Sequence, residues 1–140
     1  MCLSVSSCVG LTRVKVLVIN PESGANAEVE LIVDTGSIFT WIDGRVLDGI
    51  GIRPRRVRSF RTIDGRVVSR RVGVAVIKYG EYEGDVEVVF AEDGDAQVLG
   101  VMALETLGLE VDPLTGTLRY VGHYNSLSLR LIFTLRLTPG

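Results

Sequence analysis

Asp34 is the residue around which chemistry is most readily built. Leu31, Ile32 and Val33 run straight into it, Thr35, Gly36 and Ser37 follow, and apolar residues resume at Ile38 and Phe39. An ionised carboxylate at the edge of a core is costly unless hydrogen bonds hold it. The small residues that follow can supply them. Gly36 permits a sharp turn whose backbone N–H groups point back at the carboxylate, and the Thr35 and Ser37 hydroxyls add donors that reorient freely.

Other reactive side chains form weaker patterns. Cys2, Cys8 and the single histidine, His123, have no metal-ligand spacing. Glu92-Asp93-Gly94-Asp95 has the look of a calcium loop but lacks the further ligands and the distal glutamate, so an acidic turn is expected. No metal or cofactor is expected. The only tryptophan, Trp41, reads as a core or pocket-wall residue.

Asp34-Thr35-Gly36-Ser37 after a strand resembles the active-site loop of the aspartic proteases, and the short chain resembles their single-lobed, retroviral-type members, the retropepsins and their cellular relatives. A bare Asp-Thr-Gly arises by chance in about one chain in thirty of this length, so a second motif carries the resemblance. Val98-Leu99-Gly100, followed by Val101 to Leu109, matches the family's apolar pair and glycine beside the catalytic loop and the short helix after them. The resemblance spans roughly Val14 to Val121. It implies an all-β fold: a closed acid-protease barrel with one short C-terminal helix, acting as a homodimer. The expected division is a protease domain over 1–122 and a C-terminal extension over 123–140.

The elements that must position Asp34 follow from patterning. A hydrophobic content of 46% with few aromatics, and 16 glycines against four prolines, suits one domain of strands and tight turns. Val14 to Ile19 and Ala27 to Val33 read as a hairpin, with Ala27, Val29, Leu31 and Val33 on one face and Glu28 and Glu30 on the other. Phe39 to Ile42 reads as a strand, and Asp43 caps a short helical turn over Arg45 to Asp48, stopped by Gly49 and Gly51. Val57 to Ile63 and Arg66 to Val72 flank Asp64-Gly65, the signal for a two-residue hairpin turn. Val74 to Tyr79 with Tyr82 to Phe90, and Glu110 to Asp112 with Thr117 to Val121, predict two more hairpins. Gly108 suits the left-handed position after a helix. In the tail, Leu127, Leu129, Leu131, Phe133, Leu135 and Leu137 alternate with mostly polar residues, an amphipathic strand that needs something to pair with.

The resemblance assigns roles. Asp34 activates the water; Thr35 bonds across the subunit interface; Gly36 gives a backbone N–H to the carboxylates; Ser37 donates to the outer carboxylate oxygen. Ile63, Asp64, Gly65 and Arg66 form the tip of the flap over bound substrate, and Val98, Leu99 and Gly100 help line the subsites. Family flap tips are glycine-rich and apolar, whereas this one carries an acid and a base. Peptide hydrolysis needs two facing carboxylates, and the chain holds one Asp-Thr-Gly-Ser, so the resemblance implies a symmetric homodimer. Its substrate is then a peptide or unfolded protein, bound as an added strand.

Charge sets further expectations. Net charge is −2. Arg53, Arg55, Arg56, Arg58, Arg61, Arg66, Arg70 and Arg71 crowd one region, and Glu81, Glu83, Asp85, Glu87, Glu92, Asp93 and Asp95 the next. Two hairpin faces that attract each other explain this; a preference for acidic substrate segments is the sharper alternative. With little aromatic interleaving, nucleic acid is not an expected partner. No apolar run approaches a membrane span, the N-terminus lacks the pattern of a signal peptide, and a cytoplasmic protein is expected. Two rival readings remain: a retropepsin-like dimerisation or peptide-binding module with little turnover, and a generic β-barrel in which Asp34 merely ends a strand.

Overall fold

The computed structural model describes residues 12–122. Cys2, Cys8, His123 and the alternating stretch Leu127 to Leu137 lie outside the described residues. Strands β1 (Arg13–Ile19), β2 (Asn26–Val33), β3 (Thr40–Asp43), β4 (Arg56–Arg61), β5 (Val67–Tyr79), β6 (Tyr82–Ala91) and β7 (Val98–Leu99) form a seven-stranded sheet in the order β1-β2-β7-β3-β6-β5-β4. β1 also pairs with β5, through Leu17, Val18 and Ile19. A separate hairpin joins β8 (Leu109–Val111) to β9 (Leu118–Tyr120). Among the described residues no helix is long and apolar enough to cross a membrane.

Branched residues build the core because they pack well on a pleated surface. Val14, Val16 and Val18 of β1 meet Leu31 and Val33 of β2, Ala75 and Ile77 of β5, and Val86, Val88 and Phe90 of β6. The expected alternation on β2 holds, with Leu31 and Val33 buried and Glu28 and Glu30 exposed. Helix α2 (Val101–Leu107) closes this core with Ala103, Leu104 and Leu107 and ends at Gly108 in the left-handed conformation. Met102, on the other side of the helix, is 44% exposed. Gly84 lets α2 approach β6 closely, since a Cβ there would stand 2.5 Å from the Thr106 methyl.

Three sequence expectations are corrected. The turn after Asp43 is a second complete helix, α1 (Gly44–Gly49), capped by the Asp43 carboxylate on the Arg45 N–H at 2.9 Å. Gly73 does not break a strand: β5 runs 13 residues through it, first against β4 and then against β6. The segment before β4 crosses at that point, so close that a Cβ on Gly73 would lie 3.0 Å from the Arg53 carbonyl. The β4–β5 hairpin closes with a three-residue loop rather than a two-residue one. The Gly65 N–H bonds Thr62 O, the Thr62 N–H bonds Arg66 O, and Gly65 alone has positive φ. A two-residue Asp-Gly turn would need Asp64 in the left-handed region as well.

Candidate active site

β7 lies between β2 and β3, parallel to the first through Ile32↔Val98 and Val33↔Leu99 and antiparallel to the second through Trp41↔Val98. The Asp34 loop therefore bridges two strands across the end of a third. Backbone bonds fasten it there. The Asp34 N–H donates to Leu99 O at 3.0 Å, the Val101 N–H to Ser37 O at 2.8 Å and the Met102 N–H to Ile38 O at 3.1 Å. The last two are early α2 donors that lack partners within their own helix, so the Asp34 loop and α2 satisfy each other.

Asp34 is half-buried, and its Oδ1 accepts the Gly36 N–H at 2.9 Å, as the sequence predicts. Thr35 and Gly36 form the exposed tip of the loop. Ser37 differs from expectation. Its hydroxyl donates to Phe39 O at 3.0 Å, and a hydroxyl has one proton to give. Ser37 thus braces the turn back into β3 instead of donating to the carboxylate.

Val98 and Leu99 are 3% and 0% exposed. Leu99 packs into the main core and Val98, next to it on β7, points to the opposite face; both are closed to solvent, which corrects their assignment to the subsite walls. Gly100 is buried with them, and here glycine is obligatory: a Cβ would fall 2.3 Å from Phe39 O and 2.8 Å from Ser37 O. Its N–H donates to the Thr40 hydroxyl oxygen at 3.0 Å. Thr40, fully buried, is the supporting residue that sequence reasoning missed. Its signal is a hydroxyl at the same parity as Ile42 within an apolar run.

At the hairpin tip Ile63 is 58% exposed, and Asp64, Gly65 and Arg66 are exposed beside it. Arg66 Nε bonds Asp64 Oδ2 at 2.9 Å, and the Thr62 hydroxyl donates to Asp64 Oδ1. That hydroxyl, and then the Arg66 charge, hold the Asp64 carboxyl below its usual range. The hairpin stem is anchored on the strand leaving the Asp34 loop. Phe60 of β4 meets Phe39 and Trp41 edge-on, at centroid distances of 5.5 and 4.9 Å, and the Arg58 guanidinium lies 5.3 Å over Phe39. This aromatic cluster, too, was not foreseen beyond a wall role for Trp41.

Elsewhere the charges pair between segments distant in the chain. Glu87 takes Arg56 and Arg58, Asp95 takes Arg70, and Asp48 takes Arg71. The Glu92–Asp95 turn is tied to Arg70, and among the described residues no group of three or more His, Cys, Asp or Glu gathers as metal ligands would.

A sheet that threads a Val-Leu-Gly strand beneath an Asp-Thr-Gly-Ser loop, with a short helix docked behind, is the arrangement the motifs led us to expect of an acid-protease lobe. The aspartyl protease family matches residues 14–111, and the chain belongs to that family. A solved structure of a retropepsin-like aspartic protease from Rickettsia conorii is similar to it over 73% of this chain and 87% of that one, with 16% identity and a TM-score of 0.42. Comparison with curated proteins gives no significant match.

Proposed function

We propose that this chain is one half of a homodimeric retropepsin-like aspartic endopeptidase. The observation that carries the reading is the single Asp34 carboxylate, held by the Gly36 N–H on a loop whose Thr35-Gly36 tip is exposed. Such a loop is suited to meet a symmetry-related copy. The pairing of β1 with both β2 and β5 supports a closed barrel, and the Phe60-anchored hairpin supports a flap.

Two Asp34 carboxyls on a two-fold axis cannot both ionise easily, so they share one proton. The charged one takes a proton from a water whose oxygen attacks the peptide carbonyl carbon. The protonated one gives its proton to the carbonyl oxygen. Collapse of the resulting diol breaks the C–N bond, with a proton passing to the leaving amine. In this scheme Thr35 bonds across the interface, and no metal or cofactor takes part.

One observation favours a second reading. The exposed Asp64–Arg66 ion pair makes a polar tip, which suits a peptide-binding module with weak turnover. Cleavage of an unfolded protein across acidic to neutral pH, comparing the native chain with Asp34→Asn, separates the two. Cleavage lost in the variant, with a dimer retained in sedimentation, supports the protease. No cleavage by either chain favours the binding module.

A further inference from the structure

The arginine-rich hairpin has a balance that its internal ion pairs do not close. Arg56 and Arg58 share Glu87, Arg70 takes Asp95 and Glu92, Arg71 takes Asp48, and Arg66 takes Asp64. Arg53, Arg55 and Arg61 remain, all exposed, and among the described residues none of them has a carboxylate within ion-pair distance. Arg61 shares its odd-numbered parity on β4 with Val57 and Ser59. Successive strand residues point to opposite faces, so these three face outward while Arg58 and Phe60 face Glu87, Phe39 and Trp41. Arg53 and Arg55 lie on the segment that leads into β4, where the Arg55 N–H bonds Val72 O. Val57 and, across the hairpin, Val67 add 65% and 60% exposed apolar side chains to the outer face.

The backbone is open along the same line. Among the described residues β4 pairs with β5 alone. Thr62 directs its N–H to Arg66 O, and antiparallel bonding alternates along a strand. The N–H and C=O groups of Val57, Ser59 and Arg61 therefore point away from β5.

We propose that the open edge and outer face of β4 dock an extended acidic peptide segment, with Arg53, Arg55 and Arg61 pairing its carboxylates and Val57 and Val67 its apolar side chains. An added strand repeats every two residues as β4 does, so its apolar side chains meet Val57 along the open edge while its carboxylates meet Arg61 at one end of β4 and Arg53 and Arg55 just before the other. The hairpin is also the proposed flap, so the segment belongs to the substrate, close to the residues being cleaved. That last step rests on the protease reading; the docking surface does not. A nucleic-acid occupant is disfavoured because the only aromatic side chain of the hairpin stem, Phe60, is turned inward.

The test uses the full chain carrying Asp34→Asn, so that a probe survives. Fluorescence anisotropy compares a labelled peptide of alternating Glu and Val, its Gln analogue and a single-stranded oligothymidylate. Each is offered to the parent, to R53Q/R55Q/R61Q, and to R13Q/R45Q/R119Q, which removes the same charge from arginines paired elsewhere. The Glu peptide is expected to bind the parent and the control alike, and to lose about tenfold in affinity to the first triple variant, a factor of about two per exposed pair. The Gln analogue should bind weakly throughout. Equal binding by the R53Q/R55Q/R61Q chain, an equal loss in the control, or tighter arginine-dependent binding of the oligonucleotide would overturn the proposal. Native circular dichroism of both triple variants excludes a folding defect. A chain that binds the Glu peptide but cleaves no protein refutes the protease reading alone. A chain that cleaves without arginine-dependent binding refutes this one alone.

Discussion

The Thr40 hydroxyl oxygen accepts the Gly100 N–H at 3.0 Å, with both residues sealed from solvent. This bond ties the strand leaving the Asp34 loop to the start of α2, 60 residues later in the chain. Thr40→Val keeps the shape and removes the acceptor, leaving a buried donor unsatisfied. A loss of about 1–3 kcal/mol in unfolding free energy is expected, read by urea denaturation. Thr40→Ser keeps the acceptor and should lose less than the valine variant. Equal losses would mean that packing of the methyl, not the hydrogen bond, is what matters.

Arg70 grips Asp95 with two bonds, Nε to Oδ2 at 2.7 Å and Nη2 to Oδ1 at 3.0 Å. The pair fastens the hairpin strand to the turn that leads into β7. Burial raises the Asp95 carboxyl, but the Arg70 guanidinium and the Glu92 N–H outweigh it, so the group sits below its usual range. A depressed folded value means the contribution is complete above the unfolded value of about 3.9 and fades as pH falls through the folded one. Arg70→Gln should therefore cost about 1–2 kcal/mol near neutral pH and progressively less below about pH 4. Denaturant melts at both ends of that range check it. A cost that does not shrink in acid would remove Asp95 ionisation as its cause.

Ser37 offers a sharper contrast between motif and geometry. If its proton went to the Asp34 carboxylate, removing it would shift the acidic limb of the pH–rate profile. With the proton on Phe39 O, Ser37→Ala should leave that limb in place and lower stability by about 0.5–1.5 kcal/mol. A limb that moves to higher pH in the variant would show that the hydroxyl turns to the carboxylate in the working dimer.

What the sequence disclosed and what it hid have physical reasons. The Asp34 loop was legible because an acid and three small residues interrupt a branched apolar run. The β1–β2 hairpin was legible because Glu28 and Glu30 alternate with apolar residues. Contacts between distant segments were hidden. Gly73 looks like a strand break, yet its missing side chain is what lets Ile52 and Arg53 cross a continuous β5. Val98 and Leu99 read as possible subsite walls, since nothing local says that β7 is clasped between β2 and β3. Asp64-Gly65 signals a turn, but its length depended on which of the two residues took positive φ.

Phe60 is the last link between the hairpin and the Asp34 loop. Its ring stands 4.9 Å from that of Trp41, the chain's only tryptophan, so hairpin position has a built-in optical reporter. Each edge-to-face contact contributes about 0.5–1.5 kcal/mol beyond area burial. Phe60→Leu keeps an apolar stem and loses both aromatic contacts, so the hairpin should rest less firmly on β3. Because Phe60 touches neither Asp34 nor the water, the expected outcome is a KM raised about three- to tenfold with kcat little changed. Trp41 emission should also shift to the red as water reaches the ring. A fall in kcat at constant KM would instead mean that the cluster fixes the Asp34 loop itself, with Phe39 carrying the disturbance back to Ser37 through the hydrogen bond they share.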